Sequence, residues 1–340
     1  MNLASFVLRR LFFAVLVLFS VVAITFVLSH NLGGNIVAAW LGKTASLHPD
    51  LARLYAEKYH LNDPVWVQFY YYVTGLLQGD FGYSPSRGFL PVLTVIEQTL
   101  PFTLQIVFIG FIISMGLGIL LGMISARYRN TPIDGGVQAF YLAGYSSPPF
   151  FMALILLIVF AYTFKLLPSG GAFDPNLTQP TWITGIPMID SLLEGNWAFF
   201  ISDLEHVILP AAALALVTFG VVTRVLRSSL LEVMRTNYIR TARAKGLNEN
   251  VVFYKHGLRN AVIPIVSLSS IILTWLITST IFVENVFAYP GIGQYLATAL
   301  LVQDYPGILA TAIVFALVIL IGNLIVDLLY AVVDPQIRLE

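Results

Sequence analysis

The residues that most often carry chemistry in proteins are sparse in this chain. None of its 340 residues is cysteine, which excludes disulfides, zinc–thiolate sites and iron–sulfur clusters. The histidines lack the spacing of a paired-histidine zinc motif, so they are expected at interfaces or helix ends and no metal site is predicted. They are His30, His48, His60, His206 and His256.

A phosphate-binding loop is also missing. The triplet Gly42-Lys43-Thr44 resembles the end of such a loop, but the loop needs a glycine five residues before Gly42, where Val37 stands. No nucleophile–base or metal constellation is visible, which argues against a membrane-embedded hydrolase. The sequence therefore predicts no catalytic residues and no nucleotide bound by this chain.

The composition is that of a membrane protein. Hydrophobic residues make up 58% of the chain and charged residues 11%, compared with about 25% charged in soluble domains, and the mean hydropathy is +0.83. A membrane-spanning helix needs about 20 apolar residues. The sequence predicts an all-α integral membrane protein with six such helices, at approximately 11–29, 100–126, 137–164, 207–223, 261–287 and 308–333. The first is interpreted as an uncleaved helix, because it is too long for a signal peptide.

The distribution of Lys and Arg predicts the orientation, because cytoplasmic loops are enriched in both. With six spans and a cytoplasmic start, 13 of the 18 basic residues lie inside. The five outside are Lys43, Arg53, Lys58, Arg87 and Lys165. Both termini are therefore predicted in the cytoplasm.

Two segments are predicted outside. Residues 31–98 contain an amphipathic helix at Asp50 to His60 and an aromatic stretch at Val65 to Leu77 suited to the membrane interface. That stretch is either a lid on the helix ends or a contact for a substrate-delivery partner. Residues 170–203 form the second outer loop, in which no site is expected.

Two helices carry features of packing and bending. The second has small residues at four-residue spacing, which lets another helix approach closely: Ser114, Gly118, Gly122 and Ala126. The third contains Ser146-Ser147-Pro148-Pro149, where two prolines are expected to kink or break it. The break marks either a moving, pathway-lining backbone or a static kink.

The fifth helix carries a polar stripe. Its members lie near one face of the helix and are Ser267, Ser270, Thr274, Thr278 and Asn285. They either bond to other helices or line a polar translocation path. Ionisable residues within spans are few, with Glu284 near an outer end and Asp327 toward an inner end. A proton-coupled carrier would be expected to have more of them.

Residues 224–260, between the fourth and fifth spans, are too long and too basic for a simple connector. They carry eight basic residues against Glu232 and Glu249. Tyr238 to Lys245 is predicted to be helical, Gly246 to end that helix in a left-handed conformation, and Asn248 to cap a second helix running to about Arg259. On composition alone, this segment is either a solvated cytoplasmic loop or a docking element.

At this segment the chain resembles the membrane permeases of ATP-binding-cassette importers. The matching residues are Thr241-Ala242-Arg243-Ala244-Lys245-Gly246, with Thr-Ala-Arg where the family motif has Glu-Ala-Ala, and later Asn260 to Pro264. This departure resembles the dipeptide/oligopeptide/nickel branch of the family, and further segments resemble the B-type permease of that branch. Further matches are 59–64, 79–84, 287–293, 304–306 and 327–338.

The resemblance implies a type I importer permease fold in the cell inner membrane and a non-catalytic subunit that forms half of a translocation pathway. The implied partners are a second permease in a heterodimer, two ATPase subunits that bind ATP and Mg²⁺, and an extracytoplasmic substrate-binding protein; no nucleic acid is expected. The implied coupling residues are Arg240, Thr241, Ala242, Arg243, Ala244, Lys245 and Gly246, with Arg240, Arg243 and Lys245 flanking the contact. Peptides are the expected cargo, with oligosaccharide or nickel as alternatives, and a self-sufficient secondary carrier is the other class of function considered.

Overall fold

The computed structural model describes residues 3–32 and 49–333. The triplet Gly42-Lys43-Thr44, the rest of residues 33–48 and the motif at 334–338 lie outside the described residues. Most of the described chain is helical, and it contains one pair of two-residue strands.

The first part of the chain is one long helix followed by short elements. They are α1 (Leu3–Leu32), α2 (Pro49–Lys58), α3 (Val65–Leu77), β1 (Tyr83–Ser84) and β2 (Leu90–Pro91). The two strands are antiparallel, with Tyr83 opposite Pro91. The turn between them brings the chain back to the start of the next long helix.

The remaining helices form the bundle. They are α4 (Val92–Arg127), α5 (Pro132–Tyr145), α6 (Pro149–Leu156, continued by a π-helical turn to Thr163), α7 (Pro187–Glu194), α8 (Trp197–Val233), α9 (Asn237–Ala244), α10 (Leu258–Ala261, preceded by a π-helical turn at Val251–Gly257), α11 (Ile263–Val286), α12 (Ile292–Val302) and α13 (Tyr305–Val333).

Among the described residues, five helices are long and apolar enough to cross a membrane: α1, α4, α8, α11 and α13. A sixth candidate span consists of α5 together with α6, which meet at an angle of 108°. The break expected at the two prolines is confirmed. Pro148 is extended (φ −61°, ψ 146°), and the Ser147 hydroxyl donates to the Ala143 carbonyl at 2.8 Å, so the end of α5 keeps a bonded acceptor.

The fourth predicted span, 207–223, lies inside α8, which is the longest helix of the described chain. Its first turns contain Asp203, Glu205 and His206, which lower the local hydropathy. The apolar stretch therefore begins at 207, ten residues after the helix does. The helix starts at a cap, where Asn196 Oδ1 accepts the Phe199 N–H at 3.2 Å. The 224–260 segment therefore begins as a continuation of this helix.

Helices α4 and α8 pack against each other along most of their length. The small-residue stripe of α4 faces α8: a Cβ on Gly118 would lie 2.5 Å from Val222 Cβ, and one on Gly122 would lie 2.9 Å from Leu226 Cβ. The Thr218 hydroxyl donates to Ser114 Oγ at 2.9 Å. The groove predicted on the second helix is therefore filled by α8, which places a buried apolar core between the two helices.

Contacts between helix ends define two ends of the bundle. At one end, which we call the loop end, the Gly171 N–H donates to the Phe287 carbonyl at 2.9 Å and Ser86 Oγ donates to Asp304 at 2.7 Å. At the opposite end, which we call the basic end, Arg10 of α1 pairs with Asp327 of α13 at 2.8 Å. The amino-terminal part of α1 and the carboxyl-terminal part of α13 thus lie at the same end.

Candidate functional site

Residues 237–261 form a helical hairpin with five Lys and Arg side chains, which we call the basic hairpin. Its first helix is α9, and Gly246 follows with φ +75°, the left-handed conformation expected of it. Asn248 Oδ1 accepts the Asn250 N–H at 2.9 Å, so the predicted cap of the second helix is also confirmed. The end of α9, the turn at Gly246 and the cap at Asn248 therefore agree with the sequence prediction.

One face of α9 is buried within the chain. Ile239 and Ala242 form a small apolar cluster with Val252, against Val233 and Met234. The small side chain of Ala242 therefore packs inside the chain; its place in the coupling contact is what the family resemblance implies. The exposed side chains of this helix and its end include Arg240, Thr241, Ala244 and Lys245.

Arg243 differs from the other basic residues because its guanidinium is already paired. Its Nη2 lies 2.7 Å from Glu249 Oε1, and its Nε donates to Glu249 Oε2 at 3.0 Å. Hydrogen bonding to this guanidinium lowers the pKa of Glu249 below its usual value, and the pKa of Arg243 is raised in turn. Arg243 thus joins the two helices of the hairpin. Arg240 on α9 and Lys245, directly after its last residue, are the other exposed basic side chains of this helix and its end.

The basic hairpin is attached to the bundle by polar side chains. Arg127, the last residue of α4, donates to Asn250 Oδ1 at 2.7 Å, and its guanidinium lies 5.3 Å from the centre of the Phe253 ring. Within the hairpin, Asn260 donates to the Tyr238 hydroxyl at 2.7 Å. The hairpin is therefore joined to α4 by side-chain contacts and to α11 by the chain that continues from Ala261.

A buried ion pair lies at the same end. Asp134, at the start of α5, accepts from Arg227 Nε at 2.9 Å and from its Nη2 at 2.7 Å, a bidentate pair. The Asn130 N–H and Gln138 Nε2 also donate to this carboxylate, at 3.0 and 2.9 Å. The pair connects α8 to α5 just before the chain enters the basic hairpin. The pair was not predicted from the sequence, although an acidic residue at the start of one span and an arginine at the end of another were available as a signal.

The polar stripe of the fifth predicted span lies on a face of α11 that the described chain covers only in part. Ser267, Thr278 and Asn285 are exposed, and Ser270 and Thr274 are half-buried. Thr274 and Thr278 donate to carbonyls of their own helix at 3.0 Å, as Asn285 does at 2.6 Å. The side-chain hydrogen bonds found for Thr274, Thr278 and Asn285 within the described chain all stay inside α11.

Large apolar side chains alternate with this stripe. Ile271, Trp275 and Phe282 are exposed on the same helix. The exposed face is therefore mixed in character, with hydroxyl and amide groups set between apolar side chains. Such a face can contact another helix while also presenting polar groups to a water-filled space.

At the loop end, the buried carboxylate Glu284 closes the turn into α12. It accepts from the Thr103 hydroxyl at 2.6 Å and from the Gln294 N–H at 2.9 Å, and thus satisfies the amino terminus of α12. A Cβ on Gly291 would lie 2.3 Å from the Glu284 carboxyl carbon, and one on Gly293 would lie 2.9 Å from Oε2. Gly291 of the Tyr-Pro-Gly-Ile-Gly motif therefore makes room for this carboxylate, whereas a Cβ on Gly293 would lie nearest to the Ile281 backbone, 2.7 Å from its Cα.

Two further buried carboxylates connect elements at the loop end. Asp203 of α8 accepts from Gln105 Nε2 of α4 at 2.9 and 2.8 Å. Asp304 accepts from Ser84 Oγ, from Ser86 Oγ and from the Gly307 N–H at the start of α13. Glu284 was recognised from the sequence as a charge within a span, but its partners and the Gln105–Asp203 pair were not. The described residues contain no group of histidine, aspartate and glutamate arranged to hold a metal ion.

Two family models match the chain. The model described as the inner membrane component of binding-protein-dependent transport systems matches residues 118–339. A model of the N-terminal part of such a membrane component matches residues 3–107. The chain belongs to this family. It is an inner membrane permease with several membrane spans, and it functions together with a binding protein.

Curated relatives match this permease over nearly its whole length. The probable D,D-dipeptide transport system permease protein DdpB of Escherichia coli (strain K12) is 37% identical over 99% of this chain and 98% of that protein. The dipeptide transport system permease protein DppB of Haemophilus influenzae is 36% identical over 98% of this chain and 99% of its own length. The oligopeptide transport system permease protein AppB of Bacillus subtilis (strain 168) is 33% identical over 99% and 100%. The resemblance to permeases of the dipeptide and oligopeptide branch is confirmed.

Proposed function

We propose that this permease is the B-type subunit of an ATP-driven importer of dipeptides or oligopeptides and makes no chemical bond itself. The named relatives, each matched over its full length, support peptide cargo over nickel or oligosaccharide. Its implied partners are a second permease, two ATPase subunits that bind ATP and Mg²⁺, and an extracytoplasmic binding protein.

In this proposal the chain crosses the membrane six times, with α5 and α6 counted as one broken span. Both termini and the basic hairpin face the cytoplasm, and the loop end faces outward. The Arg10–Asp327 pair supports this arrangement, because it requires α1 and α13 to present those residues at the same end. The excess of basic residues at that end agrees with the positive-inside rule.

The observation that carries the proposal is the exposed basic face of α9. This helix belongs to a hairpin that is attached to α4 by a side-chain hydrogen bond. Arg240, Thr241, Ala244 and Lys245 are exposed, while Arg127 holds the second half of the hairpin to α4. A short helix attached in this way can enter a cleft of an ATPase subunit and pass its movement to α4 and α11. Closure of the ATPase pair would then rock the two permeases between inward-open and outward-open states.

The residues carried over from the family motif take different roles within this contact. Arg240, Thr241, Ala244 and Lys245 form the contact itself. Ala242 and Arg243 shape the hairpin from within, through packing and the pair with Glu249. Gly246 provides the turn. The exposed stripe of α11, with Ser267, Ser270, Thr274, Thr278 and Asn285, lines this permease's half of the translocation path.

Charge reversal on α9 tests the docking contact. The double substitution Arg240→Glu and Lys245→Glu places two carboxylates on the docking face, and is expected to lower binding-protein-stimulated ATP hydrolysis and peptide uptake at least about tenfold. Both rates are measured with the complete transporter in proteoliposomes. Arg129→Glu, an exposed position at the same end but outside the hairpin, is the matched control and is expected to retain both rates.

The result that contradicts docking through α9 is wild-type coupling in the double variant with normal assembly. Equal losses in the double variant and in Arg129→Glu would indicate a general charge effect at this end of the protein. Uptake by the permease alone, without ATP, would instead support a secondary carrier.

A further inference from the structure

A cleft of about 760 Å³ opens at the loop end, between the first turns of α4, the 164–196 loop and the turn after α11. Three aromatic rings line it: Phe102, Phe173 and Trp182. Glu97 is the one ionisable side chain among the lining residues, and Gln98 and Gln179 add amide groups. The cleft is therefore both aromatic and negatively charged.

The aromatic wall is organised around Phe102. Its ring is 6.5 Å from Phe173, nearly parallel, and 6.3 Å from Trp182, edge-on. Behind it lies the fully buried Tyr289, at 5.9 Å. These distances are typical of favourable aromatic pairs, so the ring faces are held in place before any ligand arrives.

The loop that carries Trp182 is fixed by a buried carboxylate. Asp190 accepts from the Gly185 N–H at 2.9 Å and from the Thr184 N–H at 2.8 Å. Gly185 has φ +78°, and a Cβ at this position would lie 3.2 Å from Pro101 Cγ of α4. The loop thus lies directly on α4 and keeps the cleft in a defined shape.

Glu97 is exposed in the cleft and has no hydrogen bond or ion pair within the part of the chain that the structure describes. A free carboxylate beside aromatic faces attracts a cation, because the ring quadrupole and the carboxylate both favour positive charge. Amide side chains can accept the remaining hydrogens of an ammonium group. The chemistry of the cleft therefore selects a primary ammonium.

We propose that this cleft holds the amino-terminal ammonium group of a peptide as it enters the permease from the loop end. This inference rests on the proposed peptide cargo. The volume and concave shape suit one or two residues of a small ligand, whereas a surface that docks a folded protein is broader and flatter. Binding is weak, because Glu97 is exposed to solvent, and a weak site lets the peptide move on.

Trp182 is half-exposed within the cleft and can report on occupancy by its fluorescence. The probe experiment uses a variant in which the other four tryptophans, Trp40, Trp66, Trp197 and Trp275, are changed to phenylalanine. The assembled transporter is titrated with alanyl-alanine and with N-acetyl-alanyl-alanine, without binding protein. The free dipeptide is expected to change the emission saturably, and acetylation to weaken the apparent affinity about fivefold, the size of one exposed charge pair.

Glu97→Gln should weaken binding of the free dipeptide by a similar factor and remove the difference between the two ligands. Glu57→Gln, an exposed carboxylate of α2 outside the cleft, should leave both titrations unchanged. The same titrations in the otherwise unchanged chain, with Trp182→Phe as the blank, give the answer if the fourfold variant does not assemble.

Three results would overturn the inference: equal affinity for the free and acetylated dipeptides, no change in emission with either, or a response that requires the binding protein. The last would assign the cleft to protein docking. ATP-driven uptake by the unchanged transporter is measured in parallel. Normal uptake together with any of these results rejects the ammonium site and leaves the proposed import function intact.

Discussion

Glu284 shows how one buried side chain dictates the residues around it. The carboxylate satisfies the amino terminus of α12 and the Thr103 hydroxyl, so the chain must pass close to it at Gly291. The backbone at Gly291 has φ −90° and ψ 176°, a conformation open to any residue. The requirement for glycine here is therefore one of space and not of backbone conformation.

Gly291→Ala is expected to destabilise the permease by about 1–3 kcal/mol, the usual cost of overpacking. The added Cβ would lie 2.3 Å from the Glu284 carboxyl carbon. The measurement is the thermal unfolding midpoint of the purified protein in one detergent. Gly136→Ala, whose Cβ would meet nothing within 4 Å, is the control. In a Glu284→Ala background the cost of Gly291→Ala should fall sharply, and an unchanged cost would show that the carboxylate is not the cause.

Local features of single residues were predictable from the sequence. The break at Pro148, the left-handed turn at Gly246 and the cap at Asn248 each follow from the backbone chemistry of one residue. The Gln105–Asp203 pair could not be predicted, because its members are 98 positions apart and neither position has a local pattern. The burial of Ala242 was missed for a similar reason, since the apolar residues that cover it come from before and after α9.

At the scale of elements, the contact between α4 and α8 is the most extensive helix pairing among the described residues. Gly118 and Gly122 allow the α8 side chains to sit against the α4 backbone. The small-residue spacing predicted that some helix would lie there, but not which one. The length of α8 was hidden by the polar residues of its first turns, because Asp203 is accommodated by a partner on α4 that no hydropathy profile contains.

Gly118→Ala is expected to lower the unfolding midpoint, because its Cβ would lie 2.5 Å from Val222 Cβ and would push α8 away. Gly116→Ala, two residues earlier on the same helix, is the control, because the added Cβ would meet nothing within 4 Å. It should leave the midpoint unchanged or raise it, since alanine favours a helix over glycine by about 1 kcal/mol. Equal midpoints for the two variants would contradict close packing at Gly118.

For the whole molecule, the most informative surface is the exposed face of α11, where polar and large apolar side chains are both open to solvent or lipid. Its polar stripe is covered only in part by the described chain, and its neighbours on the same face are apolar. Both features fit a path that two permeases enclose together. The sequence identified the stripe, and the folded chain was needed to show that α11 turns it outward.

Single cysteines at Ser267, Thr274 and Thr278 are expected to react with a polar thiol reagent in the assembled transporter, in at least one of its transport states. This chain has no cysteine of its own, so reagent found on this subunit comes from the introduced residue. Cysteines at Ser269 and Thr280, which are buried inside the chain, serve as controls and should stay protected. Protection of all five positions in every state would assign the stripe to helix packing.

The Arg10–Asp327 pair has a consequence for how the protein is made. The two residues are 317 positions apart, so almost the entire chain must be synthesised before α1 can meet its partner helix. Until then the aromatic contacts of α1 are with α3, where the Phe26 ring lies 5.1 Å from the Phe69 ring and 5.5 Å from the Tyr72 ring. The Arg10–Asp327 contact can form only once α13 has been made, so a nascent permease that stops short of its last helix lacks this contact between its first and last spans.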